Sequence, residues 1–249
     1  MIENTILAKN RQGKKAVTFA MTFPSVELVE YAAIAGFDAV NLDGEHGAFN
    51  PVDVDRIVAA AHAHGMSVTA RVPNIDSNQI NRWLDRGVQG ILGPHIETRE
   101  QAQALADACL FPPDGWRSWG GGRGTEFNDE ASIAAKHGDR VKFAQWANEN
   151  MLVTGQIESV KGYENIDEIL TVKGLAAVTW GAFDLSASLG HPGQPDHPEV
   201  LRIHAEVEEK ARAAGVRLGS DYSVAMSLPG LLLSQGRAFV EAHADDAFE

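Results

Sequence analysis

The chain has 249 residues, a length that suits one α/β barrel of roughly 250 residues. Its 21 Lys and Arg stand against 34 Asp and Glu, a net charge of −13 with His neutral, which argues against a nucleic-acid-binding surface and a polybasic membrane anchor. The single cysteine, Cys109, excludes an intrachain disulfide framework and a multi-cysteine metal site.

The first segment, MIENTILAKNRQGKK, is polar and basic, without the apolar stretch of a secretory signal. No apolar run approaches the ~18 residues of a membrane span, so the expected location is the cytoplasm. Strands are expected at Ala16–Ala20, Asp38–Leu42, Val68–Val72, Gly90–Leu92, Leu152–Ile157, Ala176–Trp180, Val216–Gly219 and Ala238–Val240. Helical patterns separate them. Ser25–Ala35 stops at Gly36. Pro51–His64 opens with Asn50 as N-cap and Pro51 at the first helical position, and stops at Gly65. Ser77–Arg86 stops at Gly87, and Thr98–Cys109 opens on a Thr98/Gln101 capping box. Cys109 reads as a small apolar residue on that helix. Gly162–Leu170, Pro198–Ala214 and Tyr222–Gln235 complete the series.

This alternation predicts parallel strands with right-handed crossovers, hence a single (β/α)8 TIM barrel over residues 1–249. An open doubly wound sheet is the alternative, but the first strand runs into Met21-Thr22-Phe23-Pro24, not a glycine-rich turn. With the eighth strand at Ala238–Val240, the closing C-terminal helix would be shortened. Residues 111–130, FPPDGWRSWGGGRGTEFNDE, form a long Gly- and Trp-rich loop, expected to be mobile or interfacial.

Barrel chemistry sits at the C-terminal ends of the strands. Those ends carry Asp43, Glu45 and His46 after strand two, Arg71 at strand three, Gln156 and Glu158 at strand five, and Gly181 and Asp184 after strand six. Asp85 lies late in the third helical pattern. Glu158 and Asp184 are separated by about one βα unit, which directs both carboxylates to one mouth. Two carboxylates there suit a hard divalent cation, Mg²⁺ or Mn²⁺, rather than Zn²⁺. Taken singly, each residue has a structural alternative. Glu158 could pair with an Arg, Asp184 could cap a short helix, Arg71 could be structural, and His46 could face solvent. The other histidines, His95 among them, read as surface or packing residues.

Six segments then occur in order: Gly36-Phe37-Asp38 with Asp43-Gly44-Glu45-His46; Ala70-Arg71-Val72-Pro73; Leu84-Asp85-Arg86-Gly87; Phe111-Pro112-Pro113 with Gly115 and Arg117; Gln156-Ile157-Glu158; and Phe183-Asp184-Leu185-Ser186 with Gly190. Together they resemble the HpcH/HpaI aldolase/citrate lyase family over nearly the whole chain. The resemblance implies a (β/α)8 barrel and a class II pyruvate aldolase, a carbon–carbon lyase. Such an enzyme reversibly cleaves a 4-hydroxy-2-oxo acid to pyruvate and an aldehyde through a pyruvate enolate. It implies a divalent cofactor (Mg²⁺, Mn²⁺ or Co²⁺) on Glu158 and Asp184, with Arg71 neutralising the enolate oxygen. His46 would be the acid/base, oriented by Asp85 across a subunit interface or through the mouth. Gln156 and the Gly181-Ala182 turn would help bind pyruvate, and Asp43 and Glu45 would support the His46 loop. A homohexamer is implied, with no nucleic-acid or membrane partner. A 2-oxo acid decarboxylase, or a lyase acting on a CoA thioester through the Arg117–Arg123 loop, is the alternative within the same superfamily.

Overall fold

A computed structural model describes residues 1–246. Helix α1 (Thr5–Arg11) precedes β1 (Ala16–Met21); α2 (Val26–Ala35), β2 (Ala39–Asp43), α3 (Pro51–Ala63), β3 (Ser67–Arg71), α4 (Ser77–Leu84), β4 (Gly90–Gly93) and α5 (Arg99–Cys109) follow. After a 3₁₀ segment (Arg123–Asn128) come α6 (Glu130–His137), α7 (Arg140–Glu149), β5 (Leu152–Ile157), α8 (Val160–Glu164), α9 (Ile166–Ile169), β6 (Ala177–Trp180), α10 (Ala182–Ser188) and α11 (Pro198–Ala213). The chain continues with β7 (Arg217–Leu218), α12 (Gly219–Tyr222), β8 (Ser223–Ser227) and α13 (Leu228–His243).

The eight strands form one parallel sheet in the order β7-β6-β5-β4-β3-β2-β1-β8. The sheet is curled and TIM-barrel-like, with β7 and β8 as its hydrogen-bonding edges. All six residues of β5 are buried, as expected of a parallel strand covered on both faces. The helix boundaries follow the sequence punctuation. Asn50 caps α3 and Thr98 caps α5, each in a full capping box. Gly36 ends α2 in the left-handed region at φ 89°.

Helix α1 closes the N-terminal end of the barrel. Ile6 packs with Ala16, Ala39, Leu152, Ala177 and Tyr222. The fully buried Asn4 donates from Nδ2 to the carbonyls of Gln89 (2.9 Å) and Asn150 (3.0 Å). Chemistry is therefore left to the opposite, C-terminal end.

Two expectations are corrected. Ala238–Val240 is not a strand; it lies inside α13, and the eighth strand is Ser223–Ser227, paired with β1 from Ala16↔Ser223 to Ala20↔Ser227. A helix over Tyr222–Gln235 would hold Pro229 in its interior, where proline breaks the ladder. Instead Pro229 stands in the first turn of α13, and Ser227 caps that turn by accepting the Gly230 N–H at 3.1 Å. Gly236 accordingly sits within the helix instead of ending one. The closing helix is thus full length at 16 residues, not shortened.

The long loop contains the 3₁₀ segment and keeps Trp116 and Trp119 exposed. It is packed against the N-terminal end of the barrel. Arg117 is buried and donates to the carbonyls of Leu84 (3.4 Å) and Gly124 (3.3 Å), with its guanidinium 4.5 Å from the Phe111 ring centroid. The buried Glu126 pairs with the Met1 ammonium at 2.6 Å and with Lys136 at 2.9 Å. Burial raises the Glu126 pKa, but these cations outweigh it and hold the carboxyl below its ordinary range.

Candidate active site

The parallel register sets the first half of the site. Asp43, the last residue of β2, is the register partner of Arg71, the last residue of β3. Arg71 makes a two-pronged pair with Asp43, Nε to Oδ1 at 3.0 Å and Nη2 to Oδ2 at 2.6 Å. Its Nη1 lies 3.1 Å from Glu45 Oε2. The loop after β2 reaches this position because Gly44 has no side chain. A Cβ there would lie 2.7 Å from the Arg71 carbonyl and would strike the Trp83 ring. Burial works against ionising both partners, but their mutual bonds prevail. Asp43 is held below the usual carboxylate range, and Arg71 is held above its own.

The second half is built around Glu158, just past β5 and only 2% exposed. Its Oε1 accepts the His95 backbone N–H at 2.8 Å, and its Oε2 accepts from Gln156 Nε2. The His95 ring spans two acids, with Nδ1 3.1 Å from Glu158 Oε1 and Nε2 3.3 Å from Glu45 Oε1. His95 thereby joins the two halves. It does so with φ at 51°, a left-handed conformation that costs a non-glycine residue energy and clusters at functional sites.

Glu158 has a raised pKa. Burial is the main cause; the His95 and Gln156 bonds oppose it, and the charge of Asp184 adds to it. Asp184 is exposed in the first turn of α10 and forms no hydrogen bond or ion pair among the described residues. Gly181 closes this side. A Cβ on it would lie 2.7 Å from Gln156 Nε2 and 2.9 Å from Glu158 Cβ, and would overlap Glu158 Oε2. A nearly buried carboxylate, a second carboxylate close enough to raise its pKa, and no Lys or Arg paired with either form an oxygen donor set short of positive charge. The residues present fit a hard divalent cation.

The sequence-derived residues fall into two groups. Asp43, Glu45, Arg71, Gln156, Glu158, Gly181, Ala182 and Asp184 all lie at or just beyond the C-terminal ends of β2, β3, β5 and β6. Ala182 opens α10, which has no side-chain cap. His46 is on the same loop as Glu45 but exposed. Its backbone N–H donates to Asp43 Oδ1 at 3.2 Å, and its Nε2 is 3.8 Å from Glu45 Oε2.

Asp85 is placed elsewhere. It follows α4 and precedes β4, which puts it at the N-terminal end of the barrel. There its carbonyl accepts the Gly124 N–H at 3.0 Å, and Gly120 and Gly122 press so closely that a Cβ on either would overlap it. Within one chain it does not approach His46 through the mouth. Burial raises its pKa against the pull of Arg117 and Arg86. The Arg117–Arg123 segment lies at this same end. Arg117 is buried and Arg123 is 3.5 Å from Asp55, so neither lies at the mouth for a CoA phosphate. His95 is the site residue that sequence reading passed over. Its signal was position, two residues beyond β4 in Gly93-Pro94-His95, and not residue type.

A family model described as HpcH/HpaI aldolase/citrate lyase matches residues 18–246. The chain is 32% identical over 238 residues to a 4-hydroxy-2-oxovalerate aldolase of Rhodococcus jostii, covering 94% of this chain and 87% of that protein. It is 29% identical to a hydroxypyruvate/pyruvate aldolase of Sagittula stellata, covering 98% and 88%. Among solved structures, an HpcH/HpaI aldolase from Desulfitobacterium hafniense superposes with a TM-score of 0.83 at 27% identity, covering 97% of both chains.

Proposed function

This chain belongs to the HpcH/HpaI aldolase/citrate lyase family, and from that premise we propose how its residues carry out aldol cleavage. It is a carbon–carbon lyase of the class II pyruvate aldolase type. Cleavage of a 4-hydroxy-2-oxo acid gives pyruvate and an aldehyde. The observation that carries the assignment of roles is the buried, charge-deficient Glu158 beside Asp184, set next to the Arg71–Asp43–Glu45 cluster.

Glu158 and Asp184 would hold the cation, Mg²⁺ or Mn²⁺, with Co²⁺ as a substitute. When bound, it supplies Lewis-acid polarisation of the 2-oxo acid. Arg71 supplies fixed positive charge at the oxygen where the enolate develops. A guanidinium has five N–H donors; Asp43 accepts two of them and Glu45 forms an ion pair with Nη1, so donors remain for the substrate. Asp43 and Glu45 thus serve as the brace that aims Arg71 as well as the support of the His46 loop. Gln156 and the Gly181-Ala182 turn border the same space and would contact the pyruvate carboxylate.

In the cleavage direction the 4-hydroxyl gives up its proton, and the C3–C4 bond breaks. The electron pair passes to the 2-oxo acid as an enolate, and a proton is returned to C3. His46, whose ring is free of strong partners, takes and returns that proton. Asp85 would orient His46 only from a second copy of the chain.

An oligomer, a hexamer in the full reading, fits the surface. None of the residues of α13 is buried, and Leu232 and Phe239 are each 67% exposed. The outward positions Val17 on β1 and Val224 on β8 are also exposed. A parallel sheet is normally covered on that face. Exchange of α13 between two copies would cover both surfaces and complete one closed barrel domain per chain. A cytoplasmic location is part of the same proposal; among the described residues no helix is long and apolar enough to cross a membrane.

The test is product analysis with 4-hydroxy-2-oxo acids and with oxaloacetate, before and after chelation. Metal-dependent release of pyruvate with an aldehyde supports the reading. Decarboxylation alone would move the chain to the decarboxylase alternative, and undiminished cleavage in excess chelator would remove the cation.

A further inference from the structure

A separate set of ligating side chains lies beyond the mouth, in the turn between α10 and α11. His191, His197 and Glu199 each offer one ligand atom, and the three atoms lie within 4.8 Å of one another. The turn is built to bring them together. The His191 N–H donates to the Ser186 carbonyl at 2.7 Å, the Gln194 N–H to the His191 carbonyl at 3.1 Å, and the His197 N–H to the Gln194 carbonyl at 3.1 Å. Gly190 and Gly193, at φ 84° and 77°, permit the two reversals. The two imidazoles stack with ring centroids 3.7 Å apart and 21° between planes. His191 Nε2 lies 3.4 Å from Glu199 Oε2.

We propose that His191, His197 and Glu199 form a second metal site, for a borderline transition-metal dication such as Zn²⁺, distinct from the carboxylate site at the barrel mouth. The donor types divide the two sites. Two imidazoles and one carboxylate suit Zn²⁺, Co²⁺ or Ni²⁺, whereas Glu158 and Asp184 offer only oxygen. One pair already stands at the spacing that binding needs, and all three atoms lie within 4.8 Å. Tetrahedral ligands with bonds of ~2.0–2.1 Å stand about 3.3 Å apart, and the His191–Glu199 pair is already at 3.4 Å. All three residues are half-buried, which leaves a fourth position for water. The net charge of −13 favours a cation; the N-terminal dipole of α11 opposes it, and Glu199 in the first turn of that helix offsets the opposition.

Binding has a structural consequence. His197 is the N-cap of α11, where its Nδ1 accepts the Glu199 N–H at 3.3 Å. A metal on either ring nitrogen ends this weak bond, because the other nitrogen must then carry the proton. The ion replaces the cap and fastens the turn after α10 to the start of α11. Helix α10 is the element that carries Asp184.

The test uses the metal-stripped full-length chain with Zn²⁺ alone as probe. Glu158→Gln with Asp184→Asn removes the oxygen site whether or not the aldolase assignment holds. One equivalent of Zn²⁺ should still bind by calorimetry, and the melting temperature should rise. Adding His191→Ala, or His197→Asn, which keeps a good helix cap, should abolish both effects. Co²⁺ in place of Zn²⁺ should give the visible absorption of a nitrogen-ligated ion in the first protein and lose it in the others. Absence of Zn²⁺ binding by the carboxylate variant overturns the proposal, and so does binding that survives His191→Ala combined with His197→Asn. None of the three readouts involves catalysis, so these outcomes are independent of the reading of the mouth.

Discussion

Gly181→Ala is the sharpest probe of the mouth, because it adds one methyl group and no charge. The added Cβ would lie 2.7 Å from Gln156 Nε2, where ordinary contact begins at 3.4 Å. Gln156 must therefore retreat by 3.4 − 2.7 = 0.7 Å, and Glu158 Oε2, which the methyl overlaps, must move further. Both side chains are buried, and Gln156 donates to Glu158, so they move as a unit. A displacement near 1 Å in a catalytic array costs up to ~10²-fold in rate. The expected outcome is a fall of roughly tenfold to a hundredfold in kcat/KM, with Mn²⁺ affinity weakened in parallel. Gly181 is the N-cap of α10, and forcing two buried side chains aside is overpacking that costs about 1–3 kcal/mol, so rate and affinity are compared well below the lowered melting temperature. Pyruvate release can be followed through lactate dehydrogenase and NADH, and Mn²⁺ binding by calorimetry. An alanine variant with activity and Mn²⁺ affinity within threefold of the parent would refute the idea that the Glu158–Gln156 geometry is what the site depends on.

Arg71→Lys keeps the charge but loses the two-pronged bond to Asp43; kcat/KM should drop by about 10²–10³, as for loss of an oxyanion donor, and a variant at full rate would exclude Arg71 from the enolate. Excess chelator should abolish cleavage and added Mg²⁺ or Mn²⁺ restore it, while Glu158→Gln should stay inactive at any metal concentration. The raised pKa of Glu158 has a definite sign: folded Glu158 holds a proton that the unfolded chain releases, so the metal-free protein loses stability as pH climbs from the ordinary glutamate value through the raised one. Chemical denaturation across that window should show this slope in the parent and a flatter one in Glu158→Gln; equal slopes would mean that Glu158 ionises in the fold without penalty. Phe239→Asp on the exposed face of α13 should lower the mass seen by light scattering; an unchanged assembly would place the interface elsewhere.

The parts of the fold that were legible in the sequence had local causes. Strands β1 to β7 follow short apolar runs, and the helix ends follow Asn50-Pro51, Thr98 with Gln101, and Gly36. The C-terminal quarter was misread for a reason equally local. In an isolated surface helix, Ala238–Val240 resembles a strand, while β8 has the pattern of neither a buried strand nor an amphipathic one. Four of its five residues are exposed. Its apolar stretch, Val224-Ala225-Met226, is only three residues long and runs directly into the Ser227–Pro229 start of α13, too short a run to read as a strand.

The active-site residues divide along a similar line. Residue type and position at or just beyond a strand end were enough to pick out Asp43, Arg71, Glu158 and Asp184 as candidates, because parallel register brings neighbouring strand ends together. Asp85 and His95 depended on more than that. Asp85 lies in the proposed motif yet at the far end of the barrel, so the proposed orienting of His46 would need a neighbouring copy. His95 needed a backbone angle. At φ 51° the backbone donates to Oε1 while the ring reaches across to Glu45. At the mouth the acidic chain sets its basic groups where carboxylates converge. Arg71 meets Asp43 and Glu45, His95 meets Glu45 and Glu158, and Glu158 and Asp184 have no paired Lys or Arg, which is why a dication is proposed there.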